Sequence, residues 1–282
     1  VGMDRIARIA TEFGLGQKTG IGVNPEAAGR IPTRSWYALR YKGQFRIGFT
    51  LNTSIGQGAT TVTPLQLALA YAALANGGTL YSPQLVRAVE TSDGAIVQDF
   101  PPRVRQKAKI SPENLARVND ALYAVVNEEK GTAYPVRDRT LEVAGKTGTA
   151  QTGYVNTGND DPKKAWYLSR DHAWFAAYSP AKAPEIAVIV LIEHGGSGPT
   201  QAAPVAMQVI KEYHRLAASR ASRVAPRSEP RKPEPKDADK KPGAASPTPA
   251  PASALPRDPV PPDPNQVDDA PAPPPTDEDE EP

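Results

Sequence analysis

Four consecutive residues, Lys146-Thr147-Gly148-Thr149, bring a cation, two hydroxyls and a glycine to the far half of an apolar run that enters at Leu141. A lysine ammonium can attract a carboxylate and hold neighbouring hydroxyls. Threonines at alternate positions face the same side of a strand, and a glycine between them lets another backbone approach. The run Leu141 to Thr152 therefore reads as a strand whose outer end is built for polar contact, with an edge that could receive an extended peptide as an added strand. The tripeptide alone is a short pattern, and Lys18-Thr19-Gly20 repeats it between a helix and a loop, so context must separate the copies.

Other reactive groups are sparse. The chain has no cysteine, which excludes thiol catalysis, disulfides and cysteine-ligated metals. Its histidines, His172, His194 and His214, are too dispersed for a metal-ligand pattern, and no metal or cofactor is expected. His172 leads into a strand beside the motif strand, where it either supports the site or caps and packs; His194 reads as a strand-end residue.

The elements that must position Lys146 can be taken in chain order. Met3 to Phe13 has apolar residues at helical spacing and stops at Gly14 and Gly16. Gly20 to Asn52 is rich in Gly, Pro and polar residues with aromatics interspersed, and reads as a long irregular loop. Thr63 as N-cap, Pro64 at the first helical position and Gly77 past the end bound a helix that is apolar around most of its circumference and should be buried. Gln84 to Glu90 and Ala95 to Gln98 suggest a hairpin through Ser92-Asp93-Gly94. Ser111-Pro112 opens an amphipathic helix to about Asn127, and Tyr154 to Arg170 is read as a mobile connection beside the site. His172 to Tyr178 and Glu185 to Glu193 are apolar strands; Gly195-Gly196-Ser197-Gly198 then turns into a helix from about Ala202 to Leu216. The short turns imply an α/β (α+β) fold, an antiparallel sheet flanked by helices from both ends of the chain.

Composition divides the chain. The first ~220 residues can build one sizeable core or much of one, whereas residues 219–282 are expected to be a disordered tail rich in Pro and Ala with an acidic end. No aromatic follows Tyr213, and 18 of the 31 prolines lie beyond Ala221. Residues 223–282 carry eight Lys or Arg against thirteen Asp or Glu, so the total of +2 conceals about +7 on the body. Those cations are scattered, which argues for a solvated surface and no nucleic-acid face. No signal peptide or membrane-length apolar run is present. The chain opens inside what reads as a helix, so an N-terminally truncated fragment is expected.

Several stretches, in one order, resemble a known family. Gly29-Arg30-Ile31-Pro32-Thr33, Leu51-Asn52-Thr53-Ser54-Ile55-Gly56-Gln57-Gly58, Val62 to Ala68, Ala75-Asn76-Gly77-Gly78, Gly145 to Gln151, Asp171 to Phe175 and His194 to Gly198 are similar to the transpeptidase domain of class B penicillin-binding proteins, over nearly all of residues 1 to ~217. Gln151 after Lys-Thr-Gly-Thr-Ala, with the Gly-Gly-Ser-Gly turn before Ala202-Ala203-Pro204, resembles the elongation branch, penicillin-binding protein 2, more than the division branch. The resemblance implies a serine D,D-transpeptidase that crosslinks peptidoglycan stem peptides and is acylated by β-lactams. It implies that Lys146 anchors the site electrostatically, that Thr147 and Thr149 bind the terminal carboxylate, and that the Thr149 backbone N–H forms half of an oxyanion hole. It further implies that Gly148 keeps the edge open and that Ala150 and Gln151 bind substrate along with Thr147, Gly148 and Thr149. As partners it implies a SEDS-family (RodA-like) glycan polymerase and elongation-complex proteins, at the periplasmic face of the bacterial inner membrane, with attachment only through an upstream anchor.

The chain departs from that pattern at one point. The family's Ser-x-x-Lys and Ser-x-Asn elements should precede the first helix, and neither is there. Ser179-Pro180-Ala181-Lys182 matches the first literally, but it follows Lys146 and sits in a hairpin turn; Tyr154-Val155-Asn156 mimics the second in the wrong place. This polypeptide alone is therefore expected not to acylate. A β-lactamase-related hydrolase, for which no deacylating glutamate motif can be placed, and a non-catalytic scaffold remain as alternatives.

Overall fold

A computed structural model of the chain describes residues 1–154 and 161–223, with side chains to residue 220. The expected tail, from residue 224 on, and the Val155-Asn156 part of the Ser-x-Asn mimic lie outside the described residues.

The site is carried by a three-stranded antiparallel sheet in the order β5-β6-β7, formed by β5 (Ala144–Ala150), β6 (His172–Ser179) and β7 (Ile186–Ile192). Alternation along these strands decides what each face meets. Val143, Ala173, Phe175, Ala177 and Val188 join Ala203, Ala206, Met207 and Ile210 of a long helix, α7 (Ala203–Arg223), in one core. Ala144, Tyr178 and Ala187, of opposite parity, pack with Leu122 of α5 (Pro112–Asn127) and with Tyr71 and Leu74 of α4 (Pro64–Ala75). The register Thr147↔Phe175↔Val190 continues the first set across all three strands. A one-residue slip would exchange the two faces, so the buried set pins the register of Lys146 as well. The expected antiparallel sheet between helices is thus the observed fold.

Caps set the helix bounds. The Thr63 side chain accepts from Gln66 N–H while Gln66 reaches back to Thr63 N–H, and Ser111 caps α5 by accepting from Asn114 N–H. Each such cap contributes about 1 kcal/mol. The expectation that α4 is buried is corrected: only Gln66, Ala70 and Ala73 are buried, Pro64 is exposed and the other apolar residues are half-covered. Its apolar flank and α1 (Met3–Glu12) instead line an open groove of about 650 Å³ that includes Ile6, Ile9, Leu67 and Val118.

Three further expectations are corrected. Gly20 to Asn52 is not irregular throughout, because it holds α2 (Arg34–Arg40), capped by Thr33, and α3 (Ile47–Ser54). Buried Tyr37 stacks on Phe49 at 4.1 Å, with Tyr41 and Phe45 around the pair, and this aromatic cluster orders a segment too short in helix to show a periodic stripe. The connection Tyr154 to Arg170 contains α6 (Pro162–Ser169), started by Asp161 accepting from the N–H groups of Lys163 and Lys164. The last helix runs on to Arg223, past Leu216. The expected hairpin is present in shorter form as β2 (Ala88–Glu90) on β3 (Ile96–Asp99), and β1 (Thr79–Tyr81) pairs with β4 (Val104–Lys107) unforeseen. Among the described residues no helix is long and apolar enough to cross a membrane.

Candidate active site on the edge strand

Among the described residues β5 pairs only with β6, so its other edge is unpaired within the sheet. In an antiparallel ladder, alternate residues turn both backbone groups to the same side. The Glu142 carbonyl accepts from Ala181 N–H and Ser179 Oγ, on the β6 side. The carbonyls of odd residues accept elsewhere: Val143 from Asn127 Nδ2 at 2.8 Å, Thr147 from Lys146 Nζ at 2.9 Å and Thr149 from Gln57 Nε2 at 3.3 Å. Thr147 and Thr149 therefore direct their N–H and C=O groups to the free edge. The sequence-derived site residues are brought together there, with the Lys146 ammonium lying over that edge.

The two hydroxyls differ in surroundings. Thr147 is buried, and its Oγ1 lies 2.7 Å from Thr132 Oγ1 in the segment after α5. Thr149 is exposed, and its Oγ1 accepts from Gly198 N–H at 3.2 Å, which leaves the hydroxyl proton to donate to an incoming anion. A Cβ on Gly148 would stand 3.2 Å from Trp174 Cβ. Beyond the strand, Gln151, Thr152 and Gly153 meet Asn52, Ile55, Gln57 and Gly58 across an open cleft of about 460 Å³. Ala150 is the register partner of His172. The larger groove beside α1 holds no residue of β5, and its lining lacks the converging polar groups a reaction requires.

His172 caps and ties. Its Nδ1 accepts from His194 N–H at 2.9 Å, and the two rings lie 4.7 Å apart. His194, at φ 52, ends β7 as a turn residue, held also against the Arg170 carbonyl at 3.2 Å. No group of three or more His, Asp or Glu suited to a metal occurs among the described residues.

Both imitations of the motif are accounted for by their contacts. Thr19 is buried in a loop, its N–H and Oγ1 both bonded to the Glu26 carboxylate, so the hydroxyl of the first Lys-Thr-Gly is already taken within that loop. These bonds, that of the Thr19 hydroxyl foremost, hold the Glu26 carboxyl below its usual range. Ser179 is fully buried, donates to the Glu142 carbonyl at 3.1 Å and lies 3.0 Å from His214 Nε2. Lys182 is exposed and pairs with Glu142 at 3.5 Å, not with Ser179. Ser179 thus fastens the end of β6 to the chain entering β5 and to α7. Ser179→Ala is expected to lower unfolding free energy by about 1–3 kcal/mol in urea denaturation, since it strands buried partners.

Two contact residues went unassigned in the sequence. Gln57 lies in a stretch whose resemblance was visible but whose reach to β5 spans 92 positions. Thr132 follows Gly131 in a turn without periodicity, and nothing local marks its bond to Thr147.

Against known proteins, the model of the penicillin binding protein transpeptidase domain matches residues 1–211. The chain is 37% identical over 218 residues to the peptidoglycan D,D-transpeptidase MrdA of Haemophilus influenzae, covering 76% of this chain and 33% of that one. For the Acinetobacter baumannii protein of the same name the figures are 35% over 213 residues, 73% and 31%. Among solved structures, Pseudomonas aeruginosa PBP2 in complex with WCK 5153 superposes with a TM-score of 0.59 at 36% identity, over 75% of this chain and 44% of that one. A complex of Helicobacter pylori PBP2 with MreC gives 0.59 at 28%, over 78% and 36%. The chain spans about a third of the length of these curated relatives.

Proposed function

The chain belongs to the transpeptidase-domain family of class B penicillin-binding proteins, and from that premise we propose that it is the strand-bearing part of a peptidoglycan D,D-transpeptidase of the elongation type. The observation that carries the reading is the free edge of β5, where Lys146 Nζ lies 2.9 Å from the Thr147 carbonyl and the Thr149 backbone groups point outward.

On this reading a donor stem peptide lies along β5 as an added strand. A serine hydroxyl attacks the carbonyl of the terminal D-Ala-D-Ala bond, its proton passing to a base and then to the departing D-alanine amine. An amine of a neighbouring peptide then attacks the serine ester, forming the crosslink and freeing the hydroxyl. Lys146 attracts the donor's carboxylate and the exposed Thr149 hydroxyl binds it, while Thr147, assigned to the carboxylate by the resemblance, has its buried hydroxyl held by Thr132 and contributes through its outward backbone groups. The Thr149 N–H stabilises the tetrahedral oxyanion. Gly148 leaves room for the peptide backbone, while Ala150 and Gln151 continue the contact surface toward the cleft beside Gln57. The serine and its Ser-x-x-Lys lysine are supplied by sequence outside these 282 residues, as is Ser-x-Asn, and residues 1–282 alone do not acylate. Placement on the periplasmic face of the inner membrane follows from the substrate. The partners are a SEDS-family glycan polymerase and elongation-complex proteins; the solved complex of a PBP2 relative with MreC supports the latter.

The test is labelling of the full-length protein with a fluorescent penicillin. A stable adduct is expected, with nitrocefin turned over no faster than the adduct decays. Rapid nitrocefin hydrolysis would favour the β-lactamase reading, and absence of both would favour a scaffold.

A further inference from the structure

We propose that Gln57 is a specificity-determining residue: its side-chain amide caps the receiving edge of β5 and gives way to ligands that bring an amide N–H of their own. This rests on the reading of β5 as the donor-binding strand.

An unpaired strand edge presents carbonyls that attract any N–H donor, and proteins cover such edges in specific ways. Here the outward carbonyls of Val143, Thr147 and Thr149 accept from Asn127, Lys146 and Gln57 at 2.8, 2.9 and 3.3 Å. Asn127 ends a helix packed on the sheet, and Lys146 belongs to the strand itself. Gln57 comes from the loop after α3, and its bond is the longest of the three. The loop is held in shape, because Gly56 and Gly58 have φ values of 76 and 81 and Gln57 N–H donates to the Asn52 carbonyl at 2.9 Å. Its carboxamide N–H thus offers Thr149 what the next strand would offer.

An extended ligand that donates an N–H to Thr149 must first expel Gln57 Nε2, exchanging one hydrogen bond for another of the same kind. A ligand without that N–H gains nothing by expelling it. Gln57 therefore weakens amide-bearing ligands relative to amide-free ones, and removing its donor should reveal the difference.

The experiment measures second-order acylation rate constants of the full-length protein with benzylpenicillin, whose acylamino group carries an N–H, and imipenem, which has a hydroxyethyl group there. Gln57→Ala removes the side chain, and Gln57→Met keeps its volume without the donor, so loss of loop shape in one is checked by the other. The ratio of the benzylpenicillin rate to the imipenem rate is expected to rise about three- to tenfold in both variants, the span of one exchanged hydrogen bond. A ratio within about twofold of wild type, or a fall, would overturn the proposal. Failure of either drug to acylate the wild-type protein would instead remove the transpeptidase reading on which it stands.

Discussion

Lys146→Ala in the full-length protein is expected to lower the rate of acylation by a penicillin by at least about 100-fold, with little change in thermal stability. The magnitude is that of removing one preorganised charge or donor from an acyl-transfer site. Lys146 is exposed, so no core contact goes with it, and the substitution leaves every core residue in place. What is lost is the ammonium 2.9 Å from the Thr147 carbonyl, on the edge proposed to receive the donor carboxylate. Lys146→Arg is expected to recover only part of the rate, because a planar fork does not reproduce a point charge on a four-carbon stem. A Lys146→Ala protein labelled at the wild-type rate would separate β5 from the chemistry.

Gly198→Ala should act through packing instead. Gly198 lies where the chain enters a π-turn (Gly198–Ala202) that leads into α7. A Cβ there would fall 2.2 Å from the Gly148 carbonyl oxygen and 2.6 Å from that of Trp174. Both are backbone atoms of paired strands, so no side chain can move aside. The expected loss is about 3 kcal/mol, a drop in Tm of about 6–12 °C for a domain of this size. Relief by displacement would shift Gly148 and weaken the bond from Gly198 N–H to Thr149 Oγ1. Penicillin labelling measured well below the lowered Tm should therefore also fall. A variant with unchanged Tm would show that the turn stands further from β5 than its geometry requires.

How much of this could be read from the chain differs by element. Thr63, Pro64, Ser111 and Pro112 announced α4 and α5 because capping chemistry is local. The apolar runs from His172 and toward Glu193 announced β6 and β7, and their parity explains the two cores. The helices α2 and α3 were missed because they are seven and eight residues long and are ordered by Tyr37, Phe45 and Phe49 meeting across a loop. At the site, Lys146 to Gln151 were legible as a motif. The burial of Thr147 under Thr132 and the reach of Gln57 to Thr149 were not, since both are set by tertiary contacts that leave no trace in spacing. The burial of Ser179 was equally hidden, although its place in a turn had already argued against a reactive serine.

In the proposed enzyme β5 is one wall of a cleft whose attacking hydroxyl belongs to a Ser-x-x-Lys segment outside these residues. Peptide mass spectrometry of the full-length protein after reaction with benzylpenicillin tests it most directly. A penicilloyl adduct is expected on the serine of such a segment and none within residues 1–282. An adduct on Ser179, or on any other serine of these 282 residues, would contradict it.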